Sequence, residues 1–425
     1  MLLNTQSRAA TQQGLGGGLP AANFAAVLQT TTTPDTYAGS GTPTFTRATT
    51  AYVLGYAAAA VVTDPPIMIL CASGEARFTG SRRVSQGVWS TNDANGVALT
   101  TANGASATCC DSQGPFGYQA EGARADVLGT TTAIRRTMTD AGWVVGATMT
   151  VGSATGVDGV ASAGASLTGG AVEATNTILF TTVLGSAART FSAWVRRKTG
   201  TGTVRMTDNG GTNWTDITLT TTYTQFQVTR TQANPIVGFQ IATNTDAIEV
   251  DFNTIEAASI ANPTPIPVNV SKAADVLTYV GSGNVGVGPM TVYLEYRGVF
   301  NTGTAVNALL TTTDGAATGY DYMNWTTSGG RITVTTPNGT AFIAATLANN
   351  TMHKIARSSS GAGTTVFANG VPGSIASAAT NNTTQPVAIQ IGGRPDAAHA
   401  AFSTIRNVRI YAQALPDAQL VAMTG

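Results

Sequence analysis

Charge is what this sequence has least of. Only 10% of its 425 residues are Asp, Glu, Lys or Arg, with 22 basic side chains against 22 acidic ones, where a soluble protein carries about 25%. Nucleic-acid binding and electrostatic membrane attachment both need clustered Lys and Arg to meet phosphate, so neither is expected. Histidine and cysteine are scarce as well. The two histidines, His353 and His399, have no metal-like neighbour at i+2 to i+4. The three cysteines, Cys71, Cys109 and Cys110, form neither an even framework nor a C-x-x-C spacing and read as plain thiols. No metal and no cofactor is expected. Long apolar runs are missing: the nearest, Tyr56 to Val62, is closed by Asp64-Pro65-Pro66, so no helical membrane insertion is expected. Met1 to Arg8 lacks the basic and apolar regions of a secretory signal, and the expectation is a soluble chain made in a cytoplasm.

What is present points one way. Hydrophobic residues make up 43%, Gly numbers 48, and Thr is roughly one residue in six, a β-favouring mixture too apolar for disorder. The length allows two to four domains at roughly 100 to 200 residues each. An all-β chain of two tandem antiparallel sandwiches follows, preceded by an extended arm and a small irregular β region.

Residues 1–43, with Gly14-Leu15-Gly16-Gly17-Gly18 and Thr30-Thr31-Thr32-Thr33-Pro34, read as an arm that cannot bury a core by itself, with one short helical turn over Asn23 to Gln29. As a leader it would be free; as an attachment segment, through Leu15, Gly16, Gly17, Asn23 and Phe24, it would order against a partner. Residues 44–125 have short apolar stretches broken by turns such as Asn92-Asp93-Ala94-Asn95-Gly96. Residues 126–260 alternate with a period of two: Phe191, Ala193 and Val195; Val237, Phe239 and Ile241; Ile248, Val250 and Phe252. Asp208-Asn209-Gly210-Gly211 supplies a hairpin turn. Residues 261–267 contain Pro263, Pro265 and Pro267 and read as the interdomain linker. Alternation resumes in 268–425, for example Thr291 to Arg297 and Val387 to Ile391, and Leu415 to Val421 forms a closing helix with Pro416 at its first position.

Catalytic motifs are few. Gly281-Ser282-Gly283-Asn284-Val285-Gly286 is a literal G-x-G-x-x-G, but Pro289 and a strand follow where a helix is needed, so it reads as a hairpin loop. No G-x-S-x-G elbow is present. Glu249, Asp251 and Glu256 are the densest acidic group; with Asn253 they could ligate Ca²⁺, act on a glycan as paired carboxylates, or form a solvated face. No catalytic residue is assigned. Aromatics on polar strand faces can stack on sugar rings while neighbouring amides bond the hydroxyls. Trp194 fits that pattern, as do Tyr320, Tyr322 and Trp325 with Asn324. The competing reading is that these rings fill sandwich cores.

Several strings together resemble bacteriophage virion proteins of the tail-fibre, minor structural or decoration type, with carbohydrate-binding-like jelly-roll and laminin G/concanavalin-like domains. They are Phe45-Thr46-Arg47-Ala48-Thr49, Glu75 to Val84, Gly117 to Arg124, Phe191 to Arg196 and Ser271 to Leu277. In the carboxyl half they continue with His353 to Ala356, Val366 to Gly370, Ile391-Gly392-Gly393, and Ile405 to Tyr411 before Leu415 to Leu420. The resemblance implies a non-enzymatic virion structural protein, anchored by its arm, whose sandwiches meet host-surface glycan or other phage virion proteins of the capsid or tail. It implies a homo-oligomer, with a trimer favoured. The alternative is a glycan-depolymerising tail spike enzyme.

Overall fold

The computed structural model describes residues 19–26, 37–41, 44–54, 68–71, 73, 78–79, 84–85, 88–89, 117–257, 264–268, 271–298, 306–313, 320–326, 331–336, 339–342, 347–348, 351–373, 384–393 and 403–425. Leu15, Gly16, Gly17, Cys109, Cys110, His399 and the turn at Asn92 to Gly96 lie outside the described residues, as does the Cys71 side chain.

The chain is all-β. Its amino-terminal part gives β1 (Phe24–Ala26), β2 (Tyr37–Ala38), β3 (Thr44–Thr46), β4 (Ala51–Leu54), β5 (Met68–Cys71), β6 (Phe78–Thr79), β7 (Val84–Ser85), β8 (Val88–Trp89) and β9 (Gly117–Ala120). A one-turn helix α1 (Thr132–Arg135) then leads to β10 (Trp143–Val145), β11 (Thr150–Ala154), β12 (Gly164–Thr168), β13 (Thr177–Thr181), β14 (Ala187–Thr199), β15 (Val204–Thr207), β16 (Thr215–Ile217), β17 (Thr224–Gln232), β18 (Ile236–Ile241) and β19 (Ala247–Glu256). The carboxyl half gives β20 (Val276–Val280), β21 (Met290–Gly298), β22 (Val306–Thr313), β23 (Tyr320–Thr326), β24 (Arg331–Thr336), β25 (Gly339–Phe342), β26 (Met352–Ser360), β27 (Gly363–Ala368), β28 (Val371–Pro372), β29 (Ala388–Ile391), β30 (Ser403–Tyr411) and α2 (Asp417–Thr424).

The first sandwich faces a five-stranded sheet, β10-β13-β18-β15-β16, against a second, β11-β12-β19-β14-β17. Alternation decides what lies between them: Phe191, Ala193, Val195, Val237, Phe239, Ile241, Ile248 and Val250 are all buried in one core. The turn read at 208–211 joins β15 to β16, with φ of +70° at Gly210 and +87° at Gly211. The expected alternation fails at Phe252. Between the pairs Trp194↔Asp251 and Ser192↔Thr254, β19 carries an extra residue, and Phe252 takes φ +47°. This bulge turns Phe252 out of the core and onto the opposite face of the sheet.

The second sandwich is larger, and it recruits the amino-terminal strands. One sheet runs β2-β1-β30-β21-β26-β27-β28, with β9 also on β30 and β6 on β9; the other runs β25-β24-β23-β22-β29-β20-β3. Phe24 therefore belongs to a strand, not to the helical turn or free arm read from the sequence. It pairs with Ile410, is 0% exposed, and stands edge-on to Tyr279 at 5.0 Å. Burying such a ring contributes about 1.5 to 3 kcal/mol, which outweighs any local helical preference. Asn23 binds the same strand, its Oδ1 accepting from Ala412 N at 2.9 Å. Phe24 is therefore sealed in the core, whereas Asn23 is exposed beside it. β9 sits so close to the turn after β29 that a Cβ on Gly392 (φ +77°) would lie 2.2 Å from Ala120 Cβ. The G-x-G-x-x-G loop does not close a hairpin: it connects β20 in one sheet to β21 in the other, and no helix follows it. At the end of the chain α2 lies on Tyr293, Ala356 and Phe367 through Leu420 and Met423, with Pro416 as its N-cap, one position before the first helical residue.

Between the sandwiches the chain crosses twice, and the two passes pair. Arg124 and Lys272 exchange backbone hydrogen bonds of 2.8 and 2.7 Å, and Asp275 N donates to Glu121 O at 3.0 Å. Thr264 to Pro267, within the segment read as the interdomain linker, are buried in this neck; residues 261–263 lie outside the described residues. Each end of the neck holds a charge cluster. On the second-sandwich side Arg47 binds Asp275 at 2.9 Å, Lys272 binds Glu121 at 3.0 Å and approaches Asp275 at 3.8 Å, and all four side chains are 0% exposed. Gln119 and Thr264 also donate to Glu121. On the first-sandwich side Arg135, 1% exposed, binds Asp126 at 2.6 Å and donates to the carbonyls of Asn253, Ile266 and Pro267.

Candidate functional site

The face of β11-β12-β19-β14-β17 that looks away from the core carries most of the chemistry singled out in the sequence. β14 places Trp194, Arg196 and Lys198 there, β19 places Glu249 and Asp251, β12 adds Ser166, and Tyr223 precedes β17. Its centre is covered. Trp194, Tyr223 and Phe252 pack with Tyr52 and Met68 of the β4–β5 hairpin and with Val157. Trp194 is 8% exposed, so a sugar ring cannot stack on its indole while the hairpin is in place. Its Nε1 is buried and has no hydrogen-bond partner among the described residues.

Asp251 lies under this cover at 0% exposure. It accepts from Arg136 twice, Nε to Oδ1 and Nη2 to Oδ2, both at 2.8 Å, and from the backbone N–H of Val157 and Phe252. The second donor is a product of the bulge. Arg136 also donates to Asp158 at 2.7 Å and lies 4.2 Å over the Phe252 ring, while the Tyr52 hydroxyl donates to Asp158 at 3.3 Å. Burial raises the Tyr52 hydroxyl far above its ordinary pKa, and the Asp158 charge adds to the effect. Burial also raises Asp251, with Arg136 pulling it back down.

The rim is more open. Arg196 Nε donates to Glu249 at 2.5 Å, and its guanidinium lies 4.6 Å over Tyr223. Lys198, 46% exposed, donates to Ser166 at 3.1 Å and stands 3.9 Å from Glu249. Alternating cation, carboxylate and hydroxyl in one partly exposed row can exchange hydrogen bonds with a polyol. Glycoside cleavage asks for two accessible carboxylates about 5 to 9.5 Å apart. Asp251 is sealed by Arg136 and Glu249 is held by Arg196, so this pair does not meet that requirement. Glu256, the third member of the group, is 1% exposed and faces Arg124 at 3.6 Å. The bulge also separates Asn253 from the acids: its amide donates to Arg135 O. Among the described residues no cluster of three or more metal-ligating side chains exists.

The other residues expected to touch glycan are in the second sandwich. Tyr320, Tyr322, Asn324 and Trp325 lie on β23, between β22 and β24, in a different sheet from Trp194; their side chains lie outside the described residues. What sequence reading missed at the first face is Arg136, Asp158 and Tyr52. The doubled Arg135-Arg136 in a chain so poor in charge was the available signal.

Trp194→Phe removes the unpartnered N–H and keeps most of the ring. The stability of this variant is expected to stay within about 1 kcal/mol of the parent, because losing an unsatisfied donor offsets the lost volume. Trp194→Ala is expected to cost about 3 to 5 kcal/mol. Chemical denaturation of both reads the difference, and equal losses would mean that Nε1 has a partner in solution.

No protein-family model matches the chain, and no curated protein matches it. Solved structures similar to part of it include the CBM40 of the Ruminococcus gnavus IT-sialidase bound to α2,3-sialyllactose, at 19% identity and TM-score 0.30, covering 35% of this chain and 91% of that one. Others are a heptameric SAP-like pentraxin from Limulus polyphemus, at 12% identity and TM-score 0.28, covering 34% and 73%, and domain 4 of AbnA, an arabinanase from Geobacillus stearothermophilus, in complex with arabinotriose, at 15% and 0.28, covering 37% and 78%. No residue or ligand is carried over from them.

Proposed function

We propose that the chain is a non-enzymatic structural and adhesion protein of a bacteriophage particle, made in the host cytoplasm, whose sandwiches meet host-surface glycan or neighbouring virion subunits. The neck is the observation that carries this reading. Three strings behind the phage resemblance, at 45–49, 117–124 and 271–277, converge there and supply Arg47, Glu121, Arg124, Lys272 and Asp275 to one paired and charge-locked joint. In this reading, a chain with so few charges that buries so many of them where its sandwiches meet presents those sandwiches in a set arrangement. Fixed presentation in several copies suits weak, polar, multivalent contacts, where avidity supplies the strength. Attachment falls to the segment before Asn23, since Phe24 belongs to the second core. Assembly as a trimer is part of the proposal.

Cryo-electron microscopy of purified particles of the parent phage tests it. The chain is expected in the map at the tail or on the capsid, with the segment before Asn23 against another subunit. A glycan array probed with the full chain is expected to give binding to a surface polysaccharide. Absence of the chain from the particle overturns the virion reading.

A further inference from the structure

The bulge that turns Phe252 out of the first core has a counterpart in the second sandwich. On β30 Val408 and Ile410 face the core, and strict alternation would carry Arg406 in with them. Asn407, at φ +51°, is the extra residue that prevents this. Arg409 stands opposite Tyr293 and Arg406 opposite Glu295, so both arginines lie on the outer face of the sheet. Neighbouring like charges repel unless something compensates. Glu295, 8% exposed, compensates Arg406, accepting from its Nε at 2.7 Å, and is itself held by the Asn407 amide and the Tyr293 hydroxyl, each at 2.9 Å. Burial works against the Glu295 charge, but these three donors outweigh it and hold the carboxyl below its ordinary pKa. Arg409 has no such partner. Among the described residues it makes no hydrogen bond, and its guanidinium lies 5.8 Å from the centre of the Tyr293 ring. Neither its nitrogens nor Nη1 and Nη2 of Arg406 are sealed from water. Lys354 flanks Glu295 from β26, its Nζ donating to Gly425 O at 2.6 Å, and Arg297 stands two residues further along β21. α2 covers this face only over Tyr293, Ala356 and Phe367.

We infer that this strip of the second sandwich is a binding site for an acidic polysaccharide. Cations stand at the levels of residues 293, 295 and 297 of β21, at steps of about 7 Å, which matches charge repeated along a polymer better than a single small anion. Arg406 is anchored through Nε alone, so Nη1 and Nη2 are left as an oriented pair of donors for a carboxylate. Arg409 adds a second charge beside it that no carboxylate of the described residues neutralises. β21 and β30 are each paired on both sides, so no strand edge is open here for a peptide to extend, and recognition falls to side chains. The sugar part of this inference rests on the glycan-adhesion reading; the anion part rests on the strip alone.

Calorimetric titration of the full chain at low salt with polygalacturonate, dextran or poly-glutamate tests it. Polygalacturonate is expected to bind and to be released by about 0.5 M NaCl, dextran to give no heat, and poly-glutamate to bind at least about fivefold more weakly. Arg409→Gln removes a cation that holds nothing else in place, and it is expected to weaken polygalacturonate by about fivefold with a thermal midpoint close to the parent's. Arg205→Gln, at a partly exposed arginine of the first sandwich paired with Glu173 and Asp216, is expected to change the affinity less than about twofold. No binding of polygalacturonate overturns the site, as do equal losses in the two variants or equal binding of dextran. Poly-glutamate binding as tightly as polygalacturonate overturns the sugar assignment. If polygalacturonate fails while a glycan-array signal persists in Arg409→Gln, this site falls and the adhesion reading stands.

Discussion

Asp275→Ala is expected to destabilise the second sandwich by about 3 to 5 kcal/mol, the range for removing one partner of a buried ion pair. Among the described residues the wild-type cluster sets Arg47 and Lys272 against Asp275 and Glu121, with all four side chains at 0% exposure. Removing Asp275 takes a carboxylate from two buried cations, and it also removes the acceptor of Glu121 N, which donates to Asp275 Oδ2 at 3.0 Å. Unfolding of the full chain in urea, followed by a probe in the second sandwich, reads the loss. Combining it with Arg47→Met removes the opposing charge as well and is expected to recover part of the stability, so the double variant lies above the single one. A loss under about 1 kcal/mol for the single variant would mean that the cluster is hydrated, as exposed pairs are.

That joint explains how far the sequence could be read. Alternating runs such as Phe191 to Val195 and Val237 to Ile241 report burial directly, because a strand facing one core must repeat every two residues. Fold class and the main strands were therefore legible. Phe24-Ala25-Ala26 is too short to show a period, and only its pairing with β30, nearly four hundred residues away, makes it a strand. Proline spacing suggested a linker at 261–267 but said nothing of its burial: Ile266 is 1% exposed, and Arg135 holds its carbonyl and that of Pro267. The candidate face was half legible. Trp194 on one strand, and Glu249 with Asp251 on another, were each read on a polar face, but nothing local announces that those strands are neighbours or that β4 and β5 cover them. The bulge at Phe252 was equally hidden, since one residue with positive φ breaks a period that is otherwise regular.

Arg136→Met brings the same physics to the covered face, and it adds a pH signature. Without Arg136, Asp251 keeps its backbone donors from Val157 and Phe252 but loses its only two charged bonds at 0% exposure. At neutral pH the expected cost is again about 3 to 5 kcal/mol. Burial already raises the folded pKa of Asp251 above its ordinary value, and Arg136 is the chief opposing influence, so the substitution raises it further. A folded pKa above the unfolded value near 3.9 means that the folded state holds the proton more tightly. Stability linked to this group is then fully present below about pH 4 and is lost as pH rises through the folded pKa. The deficit of Arg136→Met relative to the parent should accordingly be largest at pH 7 to 8 and shrink toward pH 4.5. Denaturant unfolding at the two pH values measures it, and a pH-independent deficit would assign the loss to packing against Phe252 instead. Asp158, which accepts from Tyr52, loses its Arg136 bond in the same variant, so the hairpin is loosened as well. Trp194 fluorescence should then become more accessible to acrylamide, linking the buried ion pair to exposure of the indole it covers.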